Sequence, residues 1–122
     1  MEQNAIKPEN TQKNAIRFEI INGSICWVPP EEIMFIVSAD HYVKSLIRSG
    51  SHIKWTIRHS TIKDILALLP TRHFIRLNRF YVLNLNQFSH FDDTGKTIYL
   101  QNNISIPVDH RISPFIIGSL RN

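Results

Sequence analysis

With 122 residues, 43% of them hydrophobic and only four Gly and six Pro, the chain has the size and composition of one folded domain, not of a disordered or low-complexity segment. A single cysteine, Cys26, excludes an internal disulfide framework and a multi-cysteine zinc site, and no apolar run nears the ~20 residues that cross a bilayer. The net charge of +4 is uneven: residues 1–40 carry −3, residues 41–80 carry +7 and the remainder is neutral, a footprint that suits a polyanionic partner and equally a solvated surface.

Residues 1–14 are polar, without the apolar stretch of a signal peptide, and read as a flexible leader or linker before a domain over 15–122. Residues 16–21 and 25–28 read as strands around the turn signal Asn22-Gly23. Pro29-Pro30 breaks the ladder, since proline lends it no N–H. Residues 32–37 place Ile33, Phe35 and Val37 on one face and Met34 and Ile36 on the other, the pattern of a central strand. Ala39-Asp40-His41 leads into a strand over 42–47, Gly50 marks a turn, and 53–57 alternates as a half-buried strand does.

Residues 60–69 form the clearest helix, with Ile62, Ile65, Leu66 and Leu69 in one stripe, Ser60 as cap and Pro70 as terminator. Short strands follow at 74–77, 81–85, 88–91, 97–100 and 104–108, with turns at Asp92-Asp93-Thr94-Gly95 and Gln101-Asn102-Asn103. Ser113-Pro114 starts a terminal helix with Ile112, Phe115, Ile116 and Leu120 on its apolar side. The expected fold is mainly β: about ten short antiparallel strands, one internal helix and a short C-terminal helix.

The sequence offers little catalytic chemistry. The chain lacks a phosphate-binding glycine loop, a zinc-protease helix motif and a serine-hydrolase elbow, and its six histidines are spaced too widely for a local metal pair. Cys26 beside Trp27 reads as a core thiol. No catalytic residue, metal or cofactor is expected, and an enzyme is not.

One segment carries identity. Ile33-Met34-Phe35-Ile36-Val37 runs into Ala39-Asp40-His41-Tyr42-Val43; the helix ends Leu68-Leu69-Pro70; Phe74-Ile75-Arg76-Leu77-Asn78-Arg79-Phe80-Tyr81-Val82-Leu83-Asn84-Leu85 follows; and Ile106-Pro107-Val108-Asp109-His110-Arg111 closes the domain. In this order and spacing the sequence resembles the LytTR family of bacterial DNA-binding domains, over roughly residues 16–120. The family pattern F-x-R-x-H-R-S is met with Asn78-Arg79-Phe80 in place of His-Arg-Ser, and I-P-V-S-R with Asp109-His110 in place of Ser-Arg.

The resemblance implies an elongated arrangement of small antiparallel sheets that contacts duplex DNA through loops in successive major grooves, favouring bent DNA. It points to His41, Asn78, Arg79, His110 and Arg111 as base-contact candidates, since arginine pairs with guanine and asparagine with adenine bidentately. Arg58, Lys63, Arg72 and Arg76 suit phosphate contacts, which hold register without reading sequence. The partner implied is double-stranded promoter DNA with repeated elements, read by a cytoplasmic transcriptional regulator or the output domain of a response regulator. A receiver or sensor domain outside this chain is a possible companion, and no membrane is involved. Asn84 reads as a structural residue at a strand end and Asp109 as a helix cap. Two alternatives stay open: a protein-interaction module of the same fold with an exposed Phe80, and a single-strand binder stacking bases on Tyr42, Phe80 and Tyr81.

Overall fold

A computed structural model describes residues 14–20 and 22–121. The expected leader, 1–14, therefore lies outside the described residues except for Asn14, as does Ile21 at the end of the first expected strand.

Among the described residues, ten strands and two α-helices follow in the order β1 (Ile16–Glu19), β2 (Ile25–Val28), β3 (Ile33–Ala39), β4 (Tyr42–Ser49), β5 (His52–Arg58), α1 (Ile62–Leu66), β6 (Phe74–Arg76), β7 (Tyr81–Asn84), β8 (Phe88–Phe91), β9 (Thr97–Leu100), β10 (Ile104–Pro107) and α2 (Pro114–Leu120). A seven-stranded sheet has the order β2-β1-β5-β4-β3-β7-β6, and a three-stranded sheet the order β10-β9-β8. Every pairing is antiparallel. The turn residues act where expected. Gly23 and Gly50 take φ of 89° and 62°, a region costly for residues with a Cβ, and Gly50-Ser51 closes the tight β4–β5 hairpin between Ser49 and His52.

β3 is central and apolar on both faces, as expected, but its faces are divided differently. Ile33 pairs with Ile47 and Phe35 with Leu46, so Met34 is an extra residue in a β-bulge. Ile33 then joins Ile36 on the face packed by Val43, Ile47, Val82 and the α1 side chains Ile62 and Ile65. Met34 joins Phe35 on the opposite face, with Leu46 and Leu83 of the same sheet and Ile98, Leu100 and Ile106 of the small one. The large sheet thus lies between α1 and the small sheet.

Three elements differ from the pattern of the sequence. α1 has five residues, half of the ten expected over 60–69: Thr61, not Ser60, caps it, its hydroxyl accepting from the Asp64 N–H at 3.0 Å, while the Ser60 hydroxyl donates to the Thr61 carbonyl. Beyond Leu66 the chain tightens into three-residue hydrogen bonds, Leu68 N–H to Ile65 and Leu69 N–H to Leu66, because Pro70 disfavours helical backbone at the residue before it. On β5, Ile53 and Trp55 are exposed at 38% and 40% although Thr56 is buried, since the small sheet covers Leu46 and not the neighbouring strand. In α2 the inward residues are Ile116, Ile117 and Leu120, and Phe115 faces solvent at 83% exposure.

Candidate nucleic-acid interface

Strand direction decides what meets at each end of the large sheet. β3 runs toward the two-residue turn Asp40-His41, with Ala39 opposite Tyr42. β7 runs antiparallel to β3, Val37 facing Tyr81, so the loop before β7 lies at the same end. The Ser38 N–H donates to the Phe80 carbonyl at 2.8 Å and extends that pairing by one step. β5 also finishes here: Val43 faces Arg58, and the Tyr42 and His59 rings meet edge to face at 6.2 Å. His41, His59 and Arg79, all exposed, are therefore neighbours at one end of one sheet.

The third segment, 109–111, is fastened to this end bond by bond. The half-buried Asn78 carboxamide uses its full capacity: Oδ1 accepts from the N–H groups of Phe80 (2.8 Å) and Tyr81 (2.9 Å), and Nδ2 donates to the carbonyls of His110 (3.0 Å) and Arg111 (3.1 Å). The buried Tyr81 hydroxyl accepts from the N–H groups of Asp109 (2.9 Å) and His110 (3.1 Å). The Phe80 and His110 rings stack with centroids 3.7 Å apart and planes 19° apart. Arg76 completes the loop, its Nε donating to the Asn78 carbonyl and an Nη to the Arg79 carbonyl.

Arg79 is exposed on this loop with its guanidinium carbon 5.7 Å from the centre of the Phe80 ring, and Arg111 is exposed where the chain turns toward α2. His41 occupies the hairpin tip and His110 the stack. Asn78 lies among them but spends its amide on the protein. Arg58 is partly buried and donates to the Arg17 carbonyl at 3.0 Å. Lys63 is exposed in the first turn of α1, which starts shortly after β5 ends here. Arg72 is not brought to the group. β6 runs from Phe74, opposite Asn84, toward Arg76, opposite Val82, so Arg72 precedes the far end of that strand.

Other residues behave structurally. Asn84 is buried and donates from Nδ2 to the Ile33 carbonyl at 2.8 Å, the strand-end role expected of it. Burial holds the Cys26 thiol above its ordinary pKa, only partly offset by Lys54, which suits a side chain packed on the core. Among the described residues, no three His, Cys, Asp or Glu side chains gather to hold a metal, and no helix is long and apolar enough to cross a membrane. Sequence reasoning missed the Tyr81 clamp, because a tyrosine opening a strand carries no mark of a hydrogen bond to backbone 28 residues away.

A family model described as the LytTr DNA-binding domain matches residues 23–113, a span holding every expected contact residue. Among solved structures, the chain is similar to the LytTr DNA-binding domain of a methyl-accepting/DNA response regulator from Bacillus cereus. That likeness has a TM-score of 0.65 at 20% identity and covers 91% of this chain and 99% of the other. No curated protein matches the sequence.

Proposed function

Because the chain belongs to the LytTr DNA-binding domain family, we propose that it reads the sequence of duplex DNA as the DNA-binding unit of a bacterial transcriptional regulator, through three loops at one end of its large sheet. The observation that carries this reading is the joining of the 78–81 and 109–111 segments by the Asn78 amide, the Tyr81 hydroxyl and the Phe80–His110 stack, beside the Asp40-His41 turn. Loops held in this way lose little freedom on docking, so more of the contact energy survives as affinity.

The roles divide by chemistry. Arg79, exposed on a loop whose carbonyls Arg76 already satisfies, presents its guanidinium for a bidentate contact to guanine, while His41 and Arg111 flank it. Asn78 acts as a positioning residue, since reading adenine would break bonds it makes within the protein. Lys63 meets phosphate, and Arg58 and Arg76 add charge while shaping the backbone around them. Weak contacts by single domains add up when promoter elements repeat, and a receiver or sensor domain outside this chain would control that joint binding.

The alternatives fit less well. Phe80 is half-buried against His110 rather than free for a protein partner. Tyr81 is buried at 3% exposure and Tyr42 half-buried, so the aromatics do not form an open platform for single strands. Selection of bound duplexes from a random pool, followed by footprinting, tests the proposal. Enrichment of a repeated element with protected major-groove positions supports it. A preference for single strands, or no enrichment, overturns it.

A further inference from the structure

The two places where the chain departs from the motif pattern, Asn78-Arg79-Phe80 and Asp109-His110, meet in space. Phe80 stands where the pattern has serine and His110 where it has arginine, and their rings form the closest aromatic stack among the described residues, 3.7 Å between centroids. A serine at 80 offers an imidazole no face to lie on. An arginine at 110 is long and needs no such support.

The His110 backbone is held from both sides, its N–H by the Tyr81 hydroxyl and its carbonyl by the Asn78 amide. The stack on Phe80 then fixes the ring, with the Tyr81 ring tilted 59° to it at 5.9 Å. An exposed imidazole held in one orientation differs from a mobile charge. Phosphates are satisfied by any nearby cation, whereas a planar group with a fixed donor direction discriminates among base edges. Resting on the duplex-reading function above, we propose that Phe80 and His110 work as one specificity-determining unit. Phe80 is the positioning residue, and a His110 ring nitrogen donates to purine N7 in the major groove, setting a purine-over-pyrimidine preference at one base pair. Arg79 and Arg111, on the adjoining segments, supply the charge that brings the duplex to it.

The test uses the full chain and the duplex it selects, with each base pair replaced in turn. The unaltered protein and Phe80→Trp, which keeps a stacking face, retain a purine preference at one position. His110→Ala and Phe80→Leu, which keeps apolar bulk without a ring, lose that same preference, a change of roughly 3–10-fold in relative affinity, the scale of one aromatic pair. Preferences elsewhere and the dependence on salt stay unchanged. The pairing is overturned if Phe80→Leu weakens every duplex equally, if it leaves the preference intact, or if His110→Ala alters a different position. Failure of the unaltered protein to select any duplex is a separate result, and overturns the DNA-reading function itself.

Discussion

At the scale of single residues, Asn78 and Arg79 are adjacent, polar and of types that read bases, yet the structure gives them opposite duties. Residue type is legible in a sequence; the destination of four hydrogen bonds is not, because two of them run to carbonyls more than 30 residues away. Asn78→Ala leaves the Phe80 and Tyr81 N–H groups and two carbonyls without their partner, and one net hydrogen bond is worth ~0.5–1.5 kcal/mol. Urea denaturation is expected to show a stability loss of roughly 1–3 kcal/mol on that principle, with affinity for the selected duplex falling as the 109–111 segment loosens. Arg79→Ala is expected to do the reverse: unchanged unfolding, and a loss of ~1–3 kcal/mol confined to the specific site, as for one bidentate base contact. Arg79→Lys does not restore it, since an ammonium lacks the planar fork. Equal effects of Arg79→Ala on specific and random duplexes would remove Arg79 from the base-reading set.

At the scale of elements, strands were legible through alternation and turn residues, and helix content less so. The stripe Ile62, Ile65, Leu66, Leu69 faces the core as its spacing implies, but periodicity does not reveal where four-residue bonding gives way to three-residue bonding. Ser60 and Thr61 are both capping types, and only the Thr61 hydroxyl reaches the Asp64 N–H. Thr61→Ala is therefore expected to cost about 1 kcal/mol in urea denaturation and Ser60→Ala much less. The β8–β9 turn makes a second case. Burial pushes the Asp92 carboxyl pKa up, but hydrogen bonds from the Thr94 hydroxyl and the N–H groups of Thr97, Lys96 and Gly95 together hold it below the ordinary value. A lowered folded pKa means stabilisation that is present above the unfolded pKa and lost as pH falls through the folded one. The Arg121 guanidinium donates to the Asp92 carbonyl and ties α2 to the same turn. Asp92→Asn is expected to be less stable than the unaltered protein at neutral pH, with the gap closing in acid below the ordinary carboxylate range, as followed by thermal unfolding against pH. A gap that persisted at the lowest pH would assign the effect to geometry instead of charge.

At the scale of the whole molecule, the sequence shows a +7 block over residues 41–80 without showing that antiparallel pairing sorts its charges to two ends. Arg79 and the end of β5 lie at the end of the sheet that carries His41, and Arg72 precedes the opposite end of β6. Net charge alone would count all of them toward a polyanion; topology selects among them. Each phosphate neutralised on a duplex releases counterions and adds about −0.9 to the slope of log affinity against log salt. Phosphate contact by Lys63 alone gives about −0.9, and adding Arg58 and Arg76 gives about −2.7. The measured slope is expected between these limits. Lys63→Ala is expected to reduce its magnitude by about 1 and weaken all sequences alike. Arg72→Ala removes the same formal charge and is expected to leave the slope where it was, because its loss is felt at the end of the sheet that does not face the duplex. A slope near zero would deny a charged interface altogether, and equal effects of Lys63→Ala and Arg72→Ala would place the duplex elsewhere on the surface.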